Sequence, residues 1–149
     1  MTNPKTHINQ LRRSYVRATP RQRFNVALQR IENANSEPNQ LVNAVAAVEG
    51  FSRSVAFHIL RRAGRGASAA EKVTRRLGPV ELIENHIAPA FDTKPERIAG
   101  ERCWHLFKAA VSYRNLLAHE ATYLGRDRSG PLLRATIKLF HAVGKLTKA

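Results

Sequence analysis

What most limits the folds open to this chain is a pattern it lacks. No run of alternating Val, Ile and Thr bounded by tight turns occurs in its 149 residues, so strand signals are nearly absent. Helix signals recur instead. Thr19 before Pro20 reads as an N-cap with Pro at the first helical position, and the following turns place Phe24, Ala27, Leu28 and Ile31 on one face. The stretch NANSEPNQ ends that helix. A longer pattern runs from about Pro38 to Arg62, with Leu41, Val45, Val48, Val55 and Leu60 marking its apolar side and Gly50 in its middle. AGRGAS closes it. Ser68 with Glu71 three positions on is a capping box that opens a short helix. LGP ends that one, and Pro79 starts PVELIENHI. APAFDTKPERIAG reads as irregular. A helix is expected from about Glu101 to near Glu120, then a loop over YLGRDRSGP. The last helix is expected to begin at Pro131, with Leu133, Ile137, Phe140 and Val143 inward. The fold class that follows is all-α, a bundle of four to five main helices in one domain over residues 1–149, with 1–19 a basic arm or short helix.

Composition narrows the function. The single Cys103 excludes an internal disulfide and fits a reducing compartment, and no paired-cysteine spacing points to a metal. His58, His86, His105 and His141 share no ligand spacing, so neither metal nor other cofactor is expected. No apolar run approaches the roughly 20 residues of a membrane span, and MTNPKTHINQLRRSY lacks the apolar core of a secretory signal. A soluble, cytoplasmic protein is the expectation. Lys and Arg total 25 against 11 Asp and Glu, a net charge of +14, which favours polyanionic partners. The excess is uneven: Met1 to Ile31 holds seven basic residues and no acid, and Arg53 to Arg76 holds seven more against Glu71 alone. Because these charges spread over several elements, nucleic acid is a better partner for them than a membrane surface.

One stretch carries chemistry. SYRNLLAHE, Ser112 to Glu120, lies late in an apolar helix whose apolar positions include Trp104, Phe107, Val111 and Leu117. Asn115 and His119 are one turn apart and therefore neighbours on one face. Arg114 is five positions from His119, about 140° around the helix, with a side chain long enough to lean toward the same edge. Imidazole moves protons near neutral pH. Guanidinium offers a charged fork of donors matched to phosphate. Asn115 can orient either of them. RNA supplies its own nucleophile in the 2′-hydroxyl, so this trio suffices for cleavage without a metal. The same three residues on a helix edge would also serve simply to bond a neighbouring loop.

SYRNLLAHE resembles the signature of the HEPN superfamily (higher eukaryotes and prokaryotes nucleotide-binding), in which an Arg is followed by a polar residue and, four to six residues on, by His. Here those positions are Arg114, Asn115 and His119. CWHLFKAAV is similar to the family's aromatic and aliphatic lead-in. LVNAVAAVEGFSRSVAF resembles its long early helix, whose mid-helix acid would be Glu49. The resemblance spans roughly Gln40 to Lys145. It implies a metal-independent endoribonuclease acting on RNA, usually as a homodimer with two motifs facing one cleft, often a toxin or a defence or RNA-processing component under an antitoxin or effector partner. Other members bind RNA without cutting it. A toxin branch carries Tyr two residues after the His as a site of AMP attachment. This chain has Ala121 there, with Tyr123 two further on, which departs from that mode of regulation.

A rival reading rests on VAAVEGFSRSVAFHILRR, where Gly50 would make the turn of a helix-turn-helix and Arg53 to Arg62 its DNA-reading helix. Arg126 and Arg128, in the expected loop after His119, are the candidate phosphate contacts, with Arg61, Arg62, Arg75 and Arg76 after them. Trp104, Phe107 or Tyr123 are the apolar side chains expected at a dimer interface.

Overall fold

In a computed structural model of the chain, backbone is described for residues 3–32, 39–120 and 126–149, and side chains for 3–32, 40–117 and 130–149. Every regular element in that set is helical. Five helices of 13 residues or more carry the bundle: α1 (Pro4–Arg17), α2 (Pro20–Glu32), α3 (Asn39–Arg62), α8 (Glu101–Glu120) and α9 (Arg126–Leu146). Shorter pieces lie between α3 and α8. They are α4 (Ala67–Arg75), α5 (Pro79–Leu82), a π-helical turn at Ile83–Ile87, α6 (Ala88–Ala90) and α7 (Pro95–Ile98). None of these helices is long and apolar enough to cross a membrane.

Local chemistry sets most boundaries. The Asn3 side chain accepts from the Lys5 amide at 2.9 Å, and Pro4 follows at the first helical position. The N-terminal segment is therefore a 14-residue helix rather than an arm. Thr19 Oγ1 accepts from the Gln22 amide at 3.2 Å while Gln22 Oε1 accepts from the Thr19 amide at 2.9 Å, a reciprocal cap on α2. At the end of α3, Gly64 takes φ 97°. Its amide bonds the Arg61 carbonyl at 3.1 Å, and the Arg65 amide bonds that of Leu60 at 3.0 Å. This left-handed stop favours glycine, which has no Cβ to clash.

α3 is the axis of the bundle and touches α1, α2, α4, α5, the π turn, α8 and α9. Leu41, Val45, Val48, Val55 and Leu60 are all buried on it, as its periodicity predicts. Phe24 of α2, Phe51 of α3 and Phe140 of α9 form the centre of the core. Phe24 stacks on Phe140 at 4.6 Å between centroids, and Phe51 meets both edge-on at 5.4 and 5.7 Å. Leu41, Val45, Ala110 and Leu132 form a second cluster under α8, and Phe57, Leu60 and Ala70 a third, against which Val16 of α1 packs.

Five expectations need correction. α3 runs unbroken through Gly50, so the turn required by a helix-turn-helix is absent. The Ser68–Glu71 capping box does not form: α4 starts at Ala67 with Gly66 as an N-cap without a side-chain bond, which leaves Ser68 inside the helix, and Glu71 pairs with Arg17 and, at 3.7 Å, Arg13. APAFDTKPERIAG holds two short helical pieces separated by an irregular turn. The helical path from Pro79 continues to Ala90 and stops where Asp92 takes φ 51°, and α7 follows before Gly100. α9 begins at Arg126, with Pro131 inside it, because a proline near a helix start removes one bond of the ladder and leaves the others. Its buried side chains are Leu132, Ala135, Thr136, Leu139, Phe140 and Val143, while Leu133 and Ile137 are half-buried. Finally, Trp104 and Phe107 are 2% and 0% exposed in the core and have no surface to offer a second subunit.

Candidate functional site

The site is built where α8 crosses α3. Trp104, Phe107 and Ala110 bury one face of α8, which leaves Arg114 half-buried at the edge of that face and Asn115 exposed. Glu49 lies on α3, one residue beyond buried Val48, and so also emerges at the rim of the core. The two edges meet. Arg114 Nη2 donates to Glu49 Oε1 at 3.4 Å across 65 residues of sequence, and Arg114 Nε donates to Asn115 Oδ1 at 2.9 Å. Three of the four residues singled out from the motif and its early helix therefore form one connected group. Both ends of the ion pair are mostly shielded, with side chains 16% and 25% exposed, so the pair is screened less than a surface one.

Glu49 has a second cation. Arg53, one turn further along α3, lies 3.8 Å from the other carboxylate oxygen. Two guanidiniums share one carboxylate, so the row Arg53–Glu49–Arg114 keeps a net positive charge. Arg53 is pinned from its far side as well, donating from Nε to the Thr74 carbonyl at 3.2 Å and from Nη2 to the Leu77 carbonyl at 2.7 Å. It thus ties α3 to the backbone at and just beyond the end of α4. Burial pushes its pKa down, Glu49 opposes that, and nearby Arg12 and Arg114 add to it. This residue, which the rival reading places in a DNA-reading helix, is a structural clamp between α3 and α4.

The other expected residues divide. The side chains of His119, Arg126 and Arg128, and Tyr123 altogether, lie outside the described residues; the backbone of His119 is in α8 and that of the two arginines in α9. Arg61 and Arg62 are exposed at the end of α3, about 18 Å of helix rise beyond Glu49, and Arg61 Nη1 caps the Arg65 carbonyl at 2.9 Å. They do not join the Arg114 group. Arg75 and Arg76 are exposed at the end of α4. Among the described residues no three His, Cys, Asp or Glu side chains are grouped to hold a metal ion.

Sequence reasoning missed a concentration of arginine on the opposite side of Arg53. Arg12 and Arg13 of α1, Arg23 of α2, Arg53 of α3 and Arg75 of α4 line one cavity. The acid-free first 31 residues pointed to a basic surface, but five side chains on four helices share no spacing that would announce a pocket.

No protein-family model, curated protein or solved structure matches this chain.

Proposed function

We propose that this protein is a metal-independent endoribonuclease whose working residues are Arg114, Asn115 and His119, with Glu49 as the positioning residue. One observation carries the reading: Glu49, the mid-helix acid of the early helix, reaches across from α3 to Arg114 at 3.4 Å. The pair fixes the guanidinium on the turn of α8 preceding His119, and Asn115 holds its other edge. In the proposed reaction, His119 takes the proton of a 2′-hydroxyl, whose oxygen attacks the adjacent phosphorus. The 5′-oxygen leaves and is protonated in turn. The products are a 2′,3′-cyclic phosphate and a 5′-hydroxyl. Arg114 offsets the charge that builds on the phosphorane oxygens.

A homodimer belongs to the same reading. Leu116, two residues after Arg114, is 44% exposed on α8, and it replaces Trp104 and Phe107 as the apolar contact that a twofold partner would cover. An antitoxin or effector partner would meet the same region.

A second reading has one observation in its favour. Two of the three guanidinium nitrogens of Arg114 are already bonded to protein, which suits a residue that stiffens an RNA-binding surface without taking part in cleavage.

The deciding experiment is cleavage of single-stranded and loop RNA in EDTA by the wild type and by His119→Ala. The expected result is a 2′,3′-cyclic phosphate from the wild type, none from the variant, and no cut where the scissile 2′-hydroxyl is replaced by hydrogen. A strict need for a divalent ion, or equal rates for wild type and His119→Ala, would overturn the catalytic reading. RNA binding retained without any cleavage would favour the second. Sedimentation at micromolar concentration tests the dimer, and an active monomer at every dilution refutes it.

A further inference from the structure

The open cavity lined by α1, α2, α3 and α4 has a volume of about 400 Å³. That falls within the range of small-molecule sites, about 300–1,000 Å³. Its wall holds five guanidiniums, from Arg12, Arg13, Arg23, Arg53 and Arg75, and one carboxylate, Glu71. Glu71 is already engaged, since Arg17 pairs with it from outside the cavity and Arg13 lies at 3.7 Å. Arg12 and Arg75 have neither a carboxylate nor a hydrogen-bond partner among the described residues, and both are exposed enough to swing inward.

Arg23 is the most informative of the five. Its Nε is buried without a hydrogen-bond partner among the described residues. Its Cζ lies 5.2 Å from the centre of the Tyr15 ring, which also lines the cavity. Its Nη2 occupies the place where a Cβ on Gly50 would come within 2.7 Å. Gly50 is thus a seat that lets a guanidinium lie against the backbone of α3. A glycine inside a helix costs about 1 kcal/mol relative to alanine, and what it makes room for here is a half-buried positive charge. Burial pushes the pKa of Arg23 down, with neighbouring Arg30 and Arg53 adding to the effect against the opposing influence of Tyr15. A cationic donor group left unsatisfied in a basic pocket is costly until an anion enters. Water can fill the space but does not neutralise it.

We propose that this cavity is a binding site for a compact ligand carrying two or more phosphoryl groups. Arg53 shares its charge with Glu49, and the other four guanidiniums against the one carboxylate of Glu71 still leave three positive charges, more than a single phosphate dianion offsets. Guanidinium forks match phosphate oxygens in geometry as well as charge. Tyr15 and Val16 add an apolar wall for the non-phosphate part of such a ligand. The site is distinct from the Arg114 group, although Arg53 borders both through Glu49, and the assignment does not depend on RNA cleavage.

Isothermal titration of the full chain with inorganic tripolyphosphate, at constant ionic strength with sulfate as the comparison anion, tests the proposal. Saturable one-to-one binding is expected, tighter for tripolyphosphate than for sulfate. Arg12→Gln with Arg75→Gln should weaken it by about tenfold or more, as charge-assisted bonds to phosphate are lost. The charge-matched pair Arg134→Gln with Lys138→Gln, exposed on α9 and outside the cavity, should change it by less than about threefold. Gly50→Ala, which keeps α3 helical but displaces Arg23, should also weaken binding, with circular dichroism verifying the fold. Equal losses in the two charge-matched pairs would overturn the site in favour of diffuse attraction, and absence of saturable binding would overturn it outright. A competition arm with a 5′-hydroxyl RNA oligonucleotide separates the phosphate sources. If RNA but not tripolyphosphate depends on Arg12 and Arg75, the cavity takes a phosphodiester strand and the compact-ligand assignment is wrong.

Discussion

Two glycines inside long helices should respond oppositely to one substitution, and the reason is tertiary. Gly50 is in α3 and Gly144 in α9. Either glycine replaced by alanine gains about 1 kcal/mol of helix propensity. At Gly144 the new Cβ would lie 2.9 Å from Cδ2 and 3.1 Å from Cζ of Phe24, and closer still to Cε2. Phe24 cannot give way easily, because its ring is stacked on Phe140 at 4.6 Å and meets Phe51 edge-on. Overpacking of this kind costs about 1–3 kcal/mol, and a displaced ring forfeits about 0.5–1.5 kcal/mol for each aromatic pair it leaves. Gly144→Ala should therefore destabilise by about 2 kcal/mol net, a drop in Tm of about 4–8 °C for a chain of this size. At Gly50 the obstacle is the far end of Arg23, a flexible side chain that can move aside. The loss there is mainly the cation–π contact with Tyr15, about 0.5–1 kcal/mol. Gly50→Ala should therefore be neutral or stabilising by up to about 0.5 kcal/mol. Urea titration followed by far-UV circular dichroism reads both, as shifts in midpoint at unchanged slope. A Gly144→Ala protein as stable as wild type would refute the packing argument. A Gly50→Ala protein weakened by more than about 1 kcal/mol would refute the view that Arg23 is the only thing the missing Cβ accommodates.

Glu49→Gln keeps the shape of the side chain but removes the charge shared by Arg53 and Arg114, so RNA should bind more tightly while cleavage slows. The salt dependence of RNA binding should steepen by up to about one unit of slope, and an unchanged cleavage rate would remove Glu49 from the site. His86, on the π turn, has its pKa pushed below 6.5 by burial and then by Arg65. Its contribution to stability is thus complete above the unfolded value and lost as pH falls through the lower folded value. Urea midpoints at about pH 7.5 and about pH 5 should differ less for His86→Gln than for wild type, and equal differences would show that His86 has no part in acid sensitivity.

The helices themselves were legible because their causes are local. Thr19 with Pro20, the period of Leu41, Val45 and Val48, and the span of α8 from Glu101 to Glu120 all follow from bonds and spacings within a few residues. The candidate site was half legible. Arg114, Asn115 and Glu49 could be singled out by type and position, but their meeting depends on α8 crossing α3 at one particular level.

What the sequence by itself determined is therefore the class of fold, the buried face of α3 and the chemical types in the motif. Tertiary structure alone decided the rest. Glu71 stands three residues after Ser68 in sequence, yet α4 starts at Ala67 and the Glu71 carboxylate pairs with Arg17 and Arg13 of α1, partners that only the packing of α1 on the bundle supplies. Gly50 looks like a turn and is a seat for Arg23, since a missing Cβ acquires meaning only from what approaches it. Arg12, Arg23, Arg53 and Arg75 are unrelated in spacing and line one pocket when four helices bring them together. Local periodicity states which way a side chain faces, and only the packed chain states what it faces.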